Sequence, residues 1–176
     1  MQPVLTDGDI RLRPLALPAD IALALPWYGD PEALWFSEGA PDLRCDGDWV
    51  AGMYRYLLDR GEVYIIEAAT PDGSLLAIGD CALCPETLPI VIGLPAYRSR
   101  GVGARVLRLL VGRAIVLGWG RLRIKGVYTH NPRARRMFER AGFRCNGVRR
   151  VRGEPDMWTF KDLCLEAAAG PGAGAP

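Results

Sequence analysis

Histidine is nearly missing from this 176-residue sequence, while a second cysteine pair, long apolar runs and the phosphate motifs of the common nucleotide folds are missing altogether. The lone histidine, His130, cannot build a metal centre by itself. Cys81-Ala82-Leu83-Cys84 has CxxC spacing, but residues three apart on a strand face opposite sides, and no other pair completes a zinc site. No metal is expected. Five cysteines, an odd number at irregular spacing, read as reduced thiols rather than a disulfide framework. Residues 1–13 contain no apolar run of signal-peptide length, and the most apolar stretch, 106–119, is interrupted by Arg108 and Arg113. A cytoplasmic protein without membrane contact is therefore expected.

What is present suits one soluble globular domain. Apolar residues make up 49% and charged residues 24% of the chain, enough for a single well-buried core. The domain is expected over 1–166. Residues 167–176 contain only Ala, Gly and Pro and are expected to be disordered. The net charge of +2 hides a division: residues 1–97 carry five Arg against fifteen acids, whereas 98–161 carry seventeen basic residues against three acids. A basic half suits a polyanion and an acidic half a cation, so one molecule could hold both; the plainer alternative is two oppositely charged, solvated faces.

Periodicity gives the element order. Residues 10–15 alternate as a half-exposed strand, 18–25 form a short helix stopped by Pro26, and Asp30-Pro31 opens another helix as N-cap and first residue. An amphipathic helix is expected over 48–60. Strands at 63–69, 75–83 and 88–94, separated by turn residues, make an antiparallel meander. After a glycine turn comes a long helix over 102–117, a strand at 122–128, a helix at 132–141 and two final strands. The order β, helices, βββ, α, β, α, ββ predicts an α+β fold with a single mixed, mostly antiparallel sheet flanked by helices.

The junction after the third meander strand carries the chemistry. Arg98-Ser99-Arg100-Gly101-Val102-Gly103-Ala104 leads from a strand into a helix, where free N–H groups and the helix dipole form an anion site. Gly101 and Gly103 let a phosphate reach the backbone, and Arg98 and Arg100 can add charge. A tight turn needing glycine for geometry alone is the simpler reading. The Walker pattern is excluded because no Gly-Lys-Ser/Thr is present. The Rossmann pattern is excluded because its third glycine position is Val106 and a meander, not an early βαβ unit, precedes it.

Residues 90–103, ending Arg98-x-x-Gly101-x-Gly103, resemble the acetyl-CoA motif of the GNAT-type N-acetyltransferases. Residues 131–143, from Asn131 through Phe138 to Gly142-Phe143, are similar to the same family's Asn-to-Gly-Phe helix. The resemblance covers residues 8–165 and implies an acetyl-CoA-dependent N-acetyltransferase that acts in a ternary complex. It implies that backbone groups of Val91, Ile92 and Gly93 meet the pantetheine arm and the thioester oxygen. Main-chain N–H groups of Ser99, Arg100, Gly101, Val102, Gly103 and Ala104 would hold the pyrophosphate, and Asn131 would bind near pantetheine. Many members carry a tyrosine acid where this chain has Phe138. Tyr128 could replace it, or the thiolate could leave without an acid.

Asp80 and Glu38 are the candidate bases, set against a carboxylate beside a bulge at Gly79 and a solvated loop acid respectively. The acceptor is expected to be a cationic primary amine of a small molecule or peptide, held by Glu38 and Asp42 with Tyr28 or Trp35 alongside. The acidic half favours a polyamine. Core aromatics and helix-end charges are the plainer account of the same segment. A catalytically idle acyl-CoA binding or sensory module is the rival reading. Nucleic-acid binding is disfavoured because the arginines form no recognised motif. A homodimer is compatible with the sequence.

Overall fold

Five strands follow one another in an antiparallel sheet: β1 (Leu5–Asp7), β2 (Ile10–Pro14), β3 (Glu62–Ala69), β4 (Leu75–Leu83) and β5 (Ile90–Ile92). The computed structural model describes residues 2–165, so the expected Ala/Gly/Pro tail lies outside the described residues. Strand β1 was not anticipated from the sequence, although Asp7-Gly8 is a hairpin signal and Asp7 pairs with Ile10. Later in the chain, β6 (Arg121–Leu122) pairs with β10 (Leu163–Cys164), and β7 (Val127–Tyr128) and β8 (Arg144–Arg149) flank β9 (Met157–Lys161). Every strand pairing is antiparallel. The α+β class is as expected, but the strand predicted over 122–128 is split, with residues 123–126 outside any ladder.

Helices cover both faces of the first sheet. On one side, α4 (Val102–Val116) buries Val102, Val106, Leu107, Leu110 and Ala114, one stripe of a 3.6-residue repeat, in a layer that contains Leu12, Ile66 and Ile78. Phe138 of α5 (Pro132–Arg140) enters the same layer. On the other side, α1 (Ala19–Tyr28), α2 (Pro31–Glu38) and α3 (Gly47–Leu58) pack Trp27, Tyr28, Leu34, Val50 and Tyr54 against Val63, Ile65 and Ala82. Cys81 falls in the first layer and Cys84 in the second, as strand alternation requires.

Helix α1 runs through Pro26, where the sequence predicts a stop. Proline costs the helix one internal hydrogen bond, yet Trp27 and Tyr28 beyond it are each only 3% exposed. Burying two large aromatics outweighs that loss. The extra turn carries Tyr28 onto the centre of the sheet, where it becomes part of the site. Asp30 caps α2 by accepting from the Glu32 N–H at 2.9 Å, with Pro31 as first helical residue.

Among the described residues sheet pairing stops at β5, whose outer edge has no strand partner. Residues of β5 and of the 124–128 segment nevertheless line a common cavity. The two groups of strands therefore splay around a cleft.

Candidate active site

One mouth of the cleft is the glycine turn. A short 3-10 turn (Pro95–Tyr97) leads to Arg98, then Ser99 at φ 61° and Gly101 at φ 80°, after which α4 begins. The left-handed turn at Gly101 suits glycine and would strain a residue with a side chain. The first helical bond runs from Arg105 N–H to Gly101 O, so the N–H groups of Val102, Gly103 and Ala104 have no acceptor one turn earlier. They open on a cavity of about 470 Å³ bounded by β5, the turn, the C-terminal half of α2 and one face of α5.

Nine of the eleven residues expected to meet coenzyme line this cavity: Val91, Ile92, Arg98, Ser99, Gly101, Val102, Gly103, Ala104 and Asn131. Arg98 does not present a free guanidinium. It ties the turn down, donating to the carbonyls of Ile92 (2.9 Å) and Gly93 (2.7 Å) and pairing with Asp30 (2.6 Å) and Glu32 (2.8 Å). Arg100 is exposed and lies outside the cavity lining. Gly93 also lies outside it. A Cβ there would sit 2.1 Å from the Trp27 ring, so this glycine admits Trp27 to the sheet. Asn131 caps α5 through Oδ1, 3.1 Å from the Ala134 N–H, and its Nδ2 donates to the Phe36 carbonyl.

The sequence reading missed the cavity's basic wall. Arg133, Arg136 and Arg140 line it from α5, and their spacing of three and four places them on one helix face, a pattern that was available in the sequence. Arg133 donates to Ser99 Oγ at 2.7 Å. Arg136 and Arg140 form no ion pair among the described residues. The local charge is thus carried by α5 rather than by Arg98 and Arg100.

A second cavity, about 430 Å³, adjoins the first and shares Ile90, Val91, Phe36 and Asn131 with it. Asp80 of β4 stands directly opposite Val91 of β5 in the ladder. Its carboxylate is 4% exposed and accepts from two tyrosines, Tyr28 Oη to Oδ1 at 3.1 Å and Tyr54 Oη to Oδ2 at 2.8 Å. Burial pushes the Asp80 pKa up to about 7; the two hydroxyl donors resist the rise and the Glu38 charge adds to it. Both tyrosines are held well above the usual phenol range, chiefly by burial and by Asp80, so they remain donors. Tyr54 was not anticipated at the site, because nothing in the sequence marks residues 54 and 80 as neighbours.

Glu38, at the end of α2, also lines the second cavity. Burial raises its pKa, and the Ser37 hydroxyl and the Lys125 charge work against the rise. Of the four residues expected to hold the amine, Tyr28 and Glu38 line this cavity, whereas Trp35 and Asp42 do not. Asp42 is exposed. Trp35 stacks on His130, ring centroids 3.7 Å apart, and His130 stacks in turn on Tyr128 at 5.3 Å. The His130 Nε2 is 2.7 Å from the Trp35 carbonyl, and Tyr128 Oη donates to the Glu38 carbonyl at 2.7 Å. This aromatic stack fastens α2 across the cleft to the 128–131 turn. Phe138 is buried against Phe143 and Phe160 and offers no proton.

Some of the opposed charges of the two halves pair with each other. Glu62 pairs with Arg113 at 2.6 Å, Asp30 and Glu32 with Arg98, and Asp7 with Arg105 and Arg108. They stitch the two halves of the fold together, and the acids in them are engaged with arginines rather than free to form an anionic surface.

The acetyltransferase (GNAT) family model matches residues 24–143, more than half of the chain. The protein belongs to the GNAT acetyltransferase family. The family uses acetyl-CoA as acetyl donor, and the glycine-turn cavity fits that donor, with three outward N–H groups backed by a wall of arginines. No protein of curated function matches the chain by sequence.

Solved structures share the GNAT fold at low identity. A spermidine N-acetyltransferase from Vibrio cholerae, in complex with CoA and spermine, is 16% identical with a TM-score of 0.69, covering 90% of this chain and 96% of its own. RimL, the ribosomal L7/L12 alpha-N-protein acetyltransferase in complex with coenzyme A, is 13% identical with a TM-score of 0.73, covering 94% and 99%. A GNAT acetyltransferase from Bacillus anthracis is 10% identical with a TM-score of 0.74, covering 92% and 98%. Among the described residues no helix of this GNAT protein is long and apolar enough to cross a membrane.

Proposed function

We propose that the protein transfers the acetyl group of acetyl-CoA to a primary amine of a small molecule or peptide by direct attack in a ternary complex, with Asp80 as general base. The observation that carries this reading is the register of Asp80 against Val91, a residue that lines both of the adjoining cavities. The N–H groups of Val102, Gly103 and Ala104 bind the pyrophosphate, with Arg136 and Arg140 adding charge. Main-chain groups of Val91 and Ile92 on the free edge of β5 align the pantetheine arm and polarise the thioester carbonyl. The amine enters from the second cavity, where Glu38 attracts its ammonium form.

The ammonium first gives up one proton to water, and Asp80 takes the second, which the neutral amine must lose as the new C–N bond forms. A carboxylate with a pKa of about 7 is matched to that task at neutral pH. Tyr28 and Tyr54 hold the carboxylate in one orientation. The C–S bond then breaks and coenzyme A leaves as thiolate. Phe138 is in the core and the Tyr128 hydroxyl already donates to the Glu38 carbonyl, so neither is assigned the role of acid. A thiolate, the conjugate base of an acid far stronger than an alcohol, leaves without one.

Free-thiol release from acetyl-CoA, measured over a panel of primary amines, tests the proposal. Amine-dependent release supports it. Binding of acetyl-CoA and desulfo-CoA with no release from any amine would instead favour an idle acyl-CoA module.

A further inference from the structure

The second cavity carries charges of both signs, and most of them are already satisfied. Asp80 is bound by two tyrosines, and Glu154 sits 3.5 Å from Arg149 at the rim. Two groups are left. Glu38, at the end of α2, and Lys125, in the open segment between β6 and β7, both line the cavity. Neither forms a direct ion pair with any described residue, and the two act on each other only through their fields. An unpaired anion and an unpaired cation lining one cavity are complementary to a ligand that carries both charges.

We propose that the acceptor is an amino carboxylate, its ammonium end entering beside Glu38 and Asp80 and its anionic end meeting Lys125. The inference rests on the acetyltransferase reading above and narrows its acceptor. A polyamine would set a second ammonium against Lys125, a like-charge contact that costs binding as water leaves the cavity. A plain alkylamine would leave Lys125 without a partner. A carboxylate forms a charge-assisted hydrogen bond with the Lys125 ammonium. The acidic residues of the N-terminal half do not argue for a polycation, since those paired with arginines are remote from this choice.

The test compares three acceptor series of matched chain length: ω-amino carboxylates, n-alkylamines and α,ω-diamines. Thiol release gives kcat/KM for each with the wild type, Lys125→Met and Lys125→Glu. Lys125 is exposed, and a thermal shift with acetyl-CoA checks that each variant keeps its donor groove. The wild type is expected to prefer amino carboxylates by roughly tenfold, the size of one charge-assisted hydrogen bond. Lys125→Met should shrink that preference and Lys125→Glu should reverse it toward diamines. Equal or better use of alkylamines or diamines by the wild type, with a ratio indifferent to residue 125, would overturn the amino-carboxylate assignment and leave acetyl transfer standing. Absence of thiol release from every acceptor would overturn both.

Discussion

The two cavities that meet at β5 are built from different material. The donor side is largely main chain: one strand edge, one turn, and the first N–H groups of one helix, drawn mostly from residues 90–104. The acceptor side is side chains from α1, α3, β4, the end of α2 and the 124–128 segment, with Asp80 receiving one donor 52 residues away and another 26 residues away in sequence. A backbone cradle needs glycine at set places and little else, so it is compact in sequence. A tuned carboxylate needs burial and partners that only the finished core supplies.

The sharpest way to break this division is at Asp80. Asp80→Asn keeps the shape of the side chain and removes the base, and turnover should fall by about 10²- to 10⁴-fold. Acetyl-CoA affinity, measured by calorimetry, should stay close to wild type. A parallel loss of affinity would show that the two sides are not separable.

The reciprocal change belongs at the turn. Gly101→Val places a β-branched residue at φ 80°, at a strain of about 1–2 kcal/mol, and disturbs the N–H groups that follow. The KM for acetyl-CoA should rise about tenfold or more, with the amine KM little altered. A milder effect is expected from Arg136→Glu or Arg140→Glu. Each should raise the acetyl-CoA KM severalfold at low salt, and the difference should shrink as ionic strength rises.

The smallest effect concerns stability. The folded-state pKa of Asp80 lies near 7, above an unfolded value near 4. The folded state therefore holds the proton more tightly, and this group makes the protein less stable as pH rises from about 4 to about 7. Asp80→Asn should flatten that part of the Tm-against-pH curve. An unchanged slope would show that Asp80 is not protonated on burial.

The sequence made the donor side legible because local rules govern it. Gly101 and Gly103 after a strand, Asn131 just before a helix and the meander before them all announce themselves within short windows. The basic wall of Arg133, Arg136 and Arg140 is equally open to reading by helical spacing, whereas Arg98, beside the glycines, is tied to Asp30 and Glu32. On the acceptor side, Asp80 and Tyr28 were named without the bond that joins them. Their contact depends on α1 continuing through Pro26, which local propensity argues against and the burial of Trp27 and Tyr28 enforces. Tyr54 and Lys125 carry no local signal at all, since their meaning comes from what the packed core sets opposite them. Trp35 and His130 read as binding or incidental residues, and became a stacked fastening for α2 only once the chain was folded.

The pH dependence of kcat at saturating acetyl-CoA and amine bears most directly on Asp80 as the base. Turnover should fall on the acid side of about pH 7 as the carboxylate takes up its proton. Tyr54→Phe removes a donor that favours the anion, so its acid limb should move to higher pH. A wild-type profile that is level through pH 7, or an acid limb indifferent to Tyr54, would contradict the assignment.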